Sequence, residues 1–282
     1  MEVFLMKPVI KETNAEKLFS VKDKVVLITG AGGLGDALSE GFAENGAKVL
    51  LASRTPGKAQ KQVDRLAEKG YSNCFAYDFD QTKKAECEAL VEKIVSEHER
   101  IDVLVNTAGI GVCYPPEDFD ETDMRKIIDV NFTSAILITQ AVGKVMIKQG
   151  GGKVIEIGSI AGVMTHTYES MVYESTKAAV HQMVKSFAIA WGKYNINVNA
   201  IAPTWINTPM LNGVPVSYYE NVDAMHPFGR MSEPEEFIGS AIFLASDASN
   251  FVTGHTLLMD GGWCAGRPLS YDKEDPRIVS FD

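Results

Sequence analysis

The chain has 282 residues, 45% hydrophobic and 23% charged, the composition of an ordinary soluble globular chain at the upper size for one domain. That excludes a disordered chain, a collagen-like repeat and a small disulfide scaffold. Lys and Arg number 27 against 37 Asp and Glu, a formal net charge of −10, so nucleic acid and anionic bilayers are repelled on average and neither is expected as a partner.

Cys74, Cys87, Cys113 and Cys264 form no C-x-x-C pair. They fit buried small apolar residues better than metal ligands or disulfides, so no metal site is expected and a reducing cytoplasm is the expected compartment. The N-terminus carries only a short apolar patch broken by Lys7 and Pro8, and no apolar run is read as reaching the roughly 18 to 20 residues of a membrane span. No export signal is expected.

After an extension over residues 1–20, Val25–Thr29 is an unbroken apolar run ending in a glycine cluster, the pattern of a buried parallel strand. A helix is predicted over 36–45, where Leu38, Phe42 and Ala43 share a face, and Gly46 stands where a helix ends. Strand 48–52, helix 57–69, strand 74–77, helix 83–97 and strand 103–105 continue the alternation. The second half predicts helix 124–149, strand 153–157, helix 172–194, strand 197–201, helix 234–245 and strand Thr256–Met259. Right-handed crossovers make such units one parallel sheet covered on both faces. The expected fold is therefore a single α/β, doubly wound Rossmann-type domain over residues 21–263, with about seven strands. Residues 204–230 are longer than an ordinary loop, as substrate lids often are, and 264–282 read as an irregular tail.

Thr29 to Gly35 reads TGAGGLG, directly after a predicted strand and at a helix start. Gly30, Gly32, Gly33 and Gly35 let the backbone turn tightly and approach a pyrophosphate, which the helix N-terminal amides beginning near Leu34 would bind. A ligand-free tight turn is the alternative. An NAD site would place a carboxylate at the end of the second strand. Here that strand ends in Ser53 and Arg54, which suit a 2′-phosphate, so NADP(H) is the preferred cofactor and NAD(H) the other choice. Arg54 capping a solvated loop is the alternative role, and Lys58 adds positive charge nearby.

Tyr173 and Lys177 stand four apart in YESTK, on one face of a predicted helix. A phenol near pKa 10 is a poor acid or base at neutral pH, and an adjacent ammonium would lower it. Ser159, fourteen residues before Tyr173, ends the predicted fifth strand at the carboxyl edge of the sheet, where its hydroxyl would hold a carbonyl or alcohol oxygen. A surface Tyr/Lys pair is the alternative that Ser159 and the glycine cluster argue against.

Together these residues resemble the classical short-chain dehydrogenase/reductase family over roughly residues 21–263. The family's Asn-Asn-Ala-Gly element is matched by Asn106-Thr107-Ala108-Gly109, its helix-four Asn by Asn131, and its catalytic Ser, Tyr and Lys by Ser159, Tyr173 and Lys177. Asp78 with Phe79 matches the adenine-contacting pair, Pro203 the proline after the sixth strand, and Thr208 the threonine beside the nicotinamide amide. Thr253-Gly254 and Asp260-Gly261-Gly262 match the closing signature. Two departures stand out: the glycine loop is one residue short of the family's T-G-x-x-x-G-x-G, and Thr204 replaces a glycine.

The resemblance implies hydride transfer between a nicotinamide and a secondary alcohol or ketone. Tyr173 would exchange the proton, Ser159 polarise the oxygen, Lys177 lower the tyrosine pKa and bind the ribose, and Asn131 hold a relay water. It also implies a homotetramer, with the helices near 124–146 and 173–191 as candidate contacts. The C-terminal stretch LASDASNFVTGHTLLMDGGW is most similar to the gluconate 5-dehydrogenase, polyol and sugar-acid branch. A 3-oxoacyl-thioester reductase, a hydroxysteroid dehydrogenase and a non-catalytic NADP(H)-binding redox sensor are the alternatives. Pocket candidates are His166, Tyr168, Glu169, Trp205 and Met210; Glu169 and His166 would serve a polar sugar, and Met210, Tyr218, Tyr219, Met225 and Phe228 an apolar ketone. His98, His181, His226 and His255 are expected to be structural or solvated.

Overall fold

The computed structural model describes residues 9–165, 167–211, 222 and 226–266. His166, Tyr218, Tyr219, Met225, the side chain of Met210, most of the expected lid and the tail past residue 266 lie outside the described residues.

Seven strands form one parallel sheet in the order β3-β2-β1-β4-β5-β6-β7. They are β1 (Val25–Thr29), β2 (Lys48–Ser53), β3 (Cys74–Asp78), β4 (Val103–Asn106), β5 (Gly152–Ile157), β6 (Ile196–Pro203) and β7 (Thr256–Met259). Every residue of β1, β4 and β6 is buried, as expected of strands covered on both faces. The strand order reverses between β1 and β4, which pair directly with Thr29 opposite Asn106. In such folds the crevice opens at that switch point, beyond the carboxyl ends of the strands.

Helices α2 (Leu34–Glu44), α3 (Lys58–Glu68) and α8 (Ile238–Ala245) cover one face, where Leu38, Phe42, Leu66 and Leu244 meet Val26, Ile28, Leu51 and Ile155. Helices α4 (Lys84–His98), α6 (Ser134–Gln149) and α7 (Met171–Trp191) cover the other, where Ile94, Ile138, Val142 and Val184 meet Leu27, Leu50, Leu104 and Val198. A short helix, α1 (Ala15–Leu18), falls in the stretch expected to be an extension and is capped by the Asn14 side chain.

The helix expected over 124–149 begins earlier, as α5 (Glu121–Ile128), because Asp120 caps it by accepting from the amides of Thr122 and Asp123. A π-helical turn, Asp129–Thr133, then separates α5 from α6. Together they form a helical run, Glu121–Gln149, that by length and composition passes for a membrane span, which corrects the expectation that no segment would. Half of its most apolar window is buried in the protein. The cysteines also divide: Cys74 and Cys87 are buried, whereas Cys113 is exposed and Cys264 half-buried, so only two match the expectation of core residues.

Candidate active site

The glycine loop leaves β1 and enters α2 through three positive φ angles, +99° at Gly30, +104° at Gly32 and +51° at Gly33. These left-handed turns let the shortened loop reach the helix in so few residues. A Cβ on Gly35 would lie 1.9 Å from the Gly30 carbonyl oxygen, and one on Gly30 would lie 2.6 Å from Thr107 Oγ1. The backbone is thus packed on itself where a pyrophosphate would be approached, and it admits no side chain. Leu34 is buried at the first turn of α2. The Gly32 amide donates to Asp36 Oδ1 at 2.7 Å, so that carboxylate secures the loop from within. Lys58 Nζ lies over the loop, 2.8 Å from where a Gly32 Cβ would be, and Thr208 lies against Gly33 at 3.2 Å by the same measure. The elements thus bring Thr208 and Lys58 to the glycine cluster.

The far end of this wall is open. Arg54 is exposed just after β2, and its charge helps hold the Asp80 carboxyl below its usual range alongside the hydrogen bonds from Thr82. Ser53 is buried and its hydroxyl donates to the Thr55 carbonyl at 3.2 Å, so it is already engaged within the chain. Asp78, opposite Ser53 in the sheet register, is exposed and accepts the Gly57 amide at 3.2 Å. Phe79 is buried among the core residues over β2 and β3, with its amide donated to the Ser53 carbonyl.

The opposite wall is buried and tightly bonded. Ser159 follows β5 and starts a short turn, with Oγ accepting the Ala161 amide at 3.1 Å. Tyr173 stands half-buried in the first turn of α7, its ring beside Gly111. Lys177, one turn on, places Nζ 5.6 Å from the Tyr173 ring centroid and donates to the Ile157 carbonyl at 2.8 Å. The lysine thus stands over the tyrosine ring, and both border the loop at Gly109 and Gly111. Asn131 lies within the π turn. Its Oδ1 accepts the Ile110 amide and its Nδ2 donates to the Ile110 carbonyl, both at 2.8 Å, and Nδ2 also reaches Thr176 Oγ1 at 3.2 Å. The π turn thus aims Asn131 at the loop after Gly109, where Asn131 Oδ1 and Lys177 Nζ each lie 3.6 Å from a would-be Cβ. Ala108 stands between Thr107 and Gly109, and its amide lies 3.0 Å from a would-be Gly30 Cβ.

The expected lowering of the Tyr173 pKa by Lys177 is not what this geometry produces. Burial raises the phenol, and the nearby Ser159 hydroxyl only partly opposes it. The ammonium is directed at a backbone carbonyl, and its own pKa is lowered by burial against the field of Glu156.

Several residues that the sequence did not single out complete the site. Glu156 is buried on β5 beneath Ser159, with Oε1 accepting Thr139 Oγ1 at 2.6 Å and Oε2 accepting Asn106 Nδ2 at 2.8 Å. His181 fills the space below the Ser159 turn, where a Cβ on either Gly158 or Gly162 would collide with its ring at 2.2 and 2.8 Å. Burial holds its pKa down to about 4, so it is neutral there. Of the pocket candidates, Trp205 packs with Ile160 and Trp263, Tyr168 is exposed, and Glu169 gives its backbone carbonyl to the Tyr114 amide. Pro203 ends β6 opposite Met259, and the Thr204 hydroxyl is buried with no hydrogen-bond partner among the described residues.

A glycine cradle with no room for a Cβ at Gly30 or Gly35, together with Ser159, Tyr173, Lys177 and Asn131 near a sheet switch point, fits a dinucleotide. A family model described as enoyl-(acyl carrier protein) reductase matches residues 30–264. The chain is 36% identical over 250 residues to an NAD-dependent glycerol dehydrogenase of Listeria innocua, covering 88% of this chain and 96% of that protein. It is also 36% identical over 248 residues to a 5-keto-D-gluconate 5-reductase of Escherichia coli, covering 87% and 97%. The crystal structure of a gluconate 5-dehydrogenase from Burkholderia cenocepacia in complex with NADP and tartrate matches with a TM-score of 0.86 at 32% identity, covering 90% of this chain and 100% of that one.

The chain belongs to the short-chain dehydrogenase/reductase family. It is a pyridine-nucleotide-dependent oxidoreductase of the alcohol dehydrogenase and carbonyl reductase class.

Proposed function

We propose that the chain is an NADP(H)-dependent oxidoreductase that interconverts a keto and a secondary hydroxyl group on a sugar acid or polyol, of the kind named for the Escherichia coli and Burkholderia cenocepacia relatives. The observation that carries the reading is the convergence of Ser159, Tyr173, Lys177 and Asn131 on one buried wall facing the glycine cradle. Arg54 and Lys58, with no carboxylate at the end of β2, support NADP(H) over NAD(H), although the glycerol dehydrogenase relative is named for NAD.

When bound, the dinucleotide supplies or accepts the hydride at its nicotinamide. The protein does the rest. The glycine loop, the N-terminus of α2 and Lys58 would hold the diphosphate, with Arg54 near the adenosine end and Thr208, Asn106, Ala108, Gly109 and Pro203 bordering the inner end. Ser159 stands near enough to Tyr173 to act on its phenol, and a substrate oxygen would be held by the two hydroxyls. Burial keeps the Tyr173 phenol protonated at neutral pH, the state needed to donate a proton to an oxygen that has just gained charge. Lys177 adds positive charge beside the phenol, and Asn131 fixes the loop after Gly109 against α7.

We also propose a homotetramer, because Ile128 on α5 and Met171 on α7 leave apolar surface exposed on the helices expected to form contacts. Its mass in solution checks this. The functional reading is tested by initial rates of NADPH and NADH consumption with 5-keto-gluconate, ketoses, a 3-oxoacyl thioester and a ketosteroid. The expected result is NADPH oxidation fastest with the keto-sugar acid. Faster turnover of the thioester or steroid would reject the substrate class, and a preference for NADH would reject the cofactor.

A further inference from the structure

We infer that Glu156 is the internal counter-ion of Lys177, a positioning residue on β5 that keeps the lysine charged beneath the crevice. This rests on the reading of Lys177 as part of the reaction site.

Glu156 is 1% exposed, in a strand whose other central residues, Val154 and Ile155, are apolar. A carboxylate in such a place is costly, and sheet packing alone gives it no purpose. It pairs in register with Asn106 of β4, which pairs with Thr29 of β1, so the three form a polar row across the sheet at the floor of the crevice. The direction of the Asn106 amide is fixed, because its Oδ1 accepts from Thr29 Oγ1 at 2.7 Å and from Gln81 Nε2 at 3.1 Å. Nδ2 must then donate to Glu156, and Thr139 Oγ1 supplies a second donor from α6. Both carboxyl oxygens therefore have a hydrogen-bonding partner, Asn106 Nδ2 and Thr139 Oγ1. These two neutral donors orient the charge without neutralising it.

The buried cation next to it is Lys177 of α7, 5% exposed, whose Nζ donates to the carbonyl of Ile157, the residue after Glu156 in β5, a bond that supplies no negative charge. Burial pushes the Glu156 carboxyl up to about 7 and the Lys177 ammonium down to about 8, and each group opposes the shift of the other. The other titratable groups around Lys177 do not compete. Tyr173 is held protonated, and His181, one turn further along α7, is held neutral partly by the charge on Lys177. The polar row thus carries a negative charge under the sheet edge where the ammonium must stay charged.

The test is a melting-temperature cycle on the full chain with Glu156→Gln, Lys177→Met and the double variant, joined to a pH profile. If the charges are paired, the double variant melts about 3 °C or more above the sum of the single losses, because each single change strands one buried charge. An additive cycle overturns the pairing. In carbonyl reduction, Glu156→Gln is expected to move the alkaline limb of kcat toward acid by on the order of one pH unit, with NADPH affinity at pH 6 changed less than about twofold. Glu156→Asp, which keeps the charge, should lie between. A coupled cycle with an unmoved limb overturns the role in keeping Lys177 charged.

Should Glu156→Gln fail to fold, Lys177→Met alone decides. Its carboxylate partner then ionises unpaired, so its melting temperature should fall more steeply than wild type from pH 5 to 9, and a parallel dependence overturns the inference. If the wild type reduces no carbonyl compound, the catalytic reading fails by itself, while the melting data still decide the pairing.

Discussion

The two walls of the crevice are held by different means. On the glycine-loop wall, backbone packs on backbone between Gly30 and Gly35, and the charged residues at its far end, Arg54 and Asp78, stand exposed. On the facing wall, Asn131, Glu156 and Lys177 are all at least nine-tenths buried and tied to one another's neighbours by hydrogen bonds from β4, β5, α6 and α7. The difference fits what each wall would do in the proposed reaction. A long anionic ligand is held by backbone amides and mobile cations that exchange water for phosphate, whereas a proton donor must keep one geometry and one charge state in a dry place.

The largest effect should come from closing the first wall. Gly35→Ala sets a methyl group against the Gly30 carbonyl at 1.9 Å, so the loop must shift. A fall of about 3–10 °C in melting temperature and loss of measurable NADPH binding by titration calorimetry are expected. Normal binding would show the cradle to be unused. Arg54→Ala should weaken NADPH binding roughly ten- to a hundredfold, the scale of one charge-assisted hydrogen bond, and leave NADH affinity unchanged. Equal loss for both dinucleotides would move Arg54 off the 2′-phosphate.

A smaller effect sharpens the second wall. His181 has its folded pKa depressed to about 4, against an ordinary value of 6.5. The stability it contributes is therefore present above about pH 6.5 and lost as the pH falls toward 4. Melting curves of His181→Gln should show a shallower acid slope than wild type over that window, by a few degrees at pH 4.5. Identical slopes would mean that the imidazole beneath the Ser159 turn is free to charge.

Much of this was legible in the sequence, for local reasons. Val25–Thr29 and Thr256–Met259 are strands with the expected bounds, because short apolar runs between glycines and polar turns leave a parallel sheet few alternatives. The Tyr173 and Lys177 spacing put both on one face of α7, as helical geometry requires. What failed depended on distant partners. The π turn at Asp129–Thr133 interrupts a run whose period is helical throughout, and its side-chain anchor is Ile110, far away in sequence. The direction of the Tyr173 shift came from burial, which spacing cannot report. Glu156 did leave a signal, a lone carboxylate inside the apolar stretch of β5, but its donors come from β4 and α6 and only the fold brings them together.

The central claim is that the phenol of Tyr173 is the proton donor of a hydride-transfer site. Turnover of NADPH with 5-keto-gluconate by Tyr173→Phe, measured beside wild type with the NADPH dissociation constant of both proteins, tests it most directly. The expected result is a fall in kcat of about 10²–10⁴-fold with cofactor affinity nearly unchanged. A variant that reduces the substrate at the wild-type rate would contradict it.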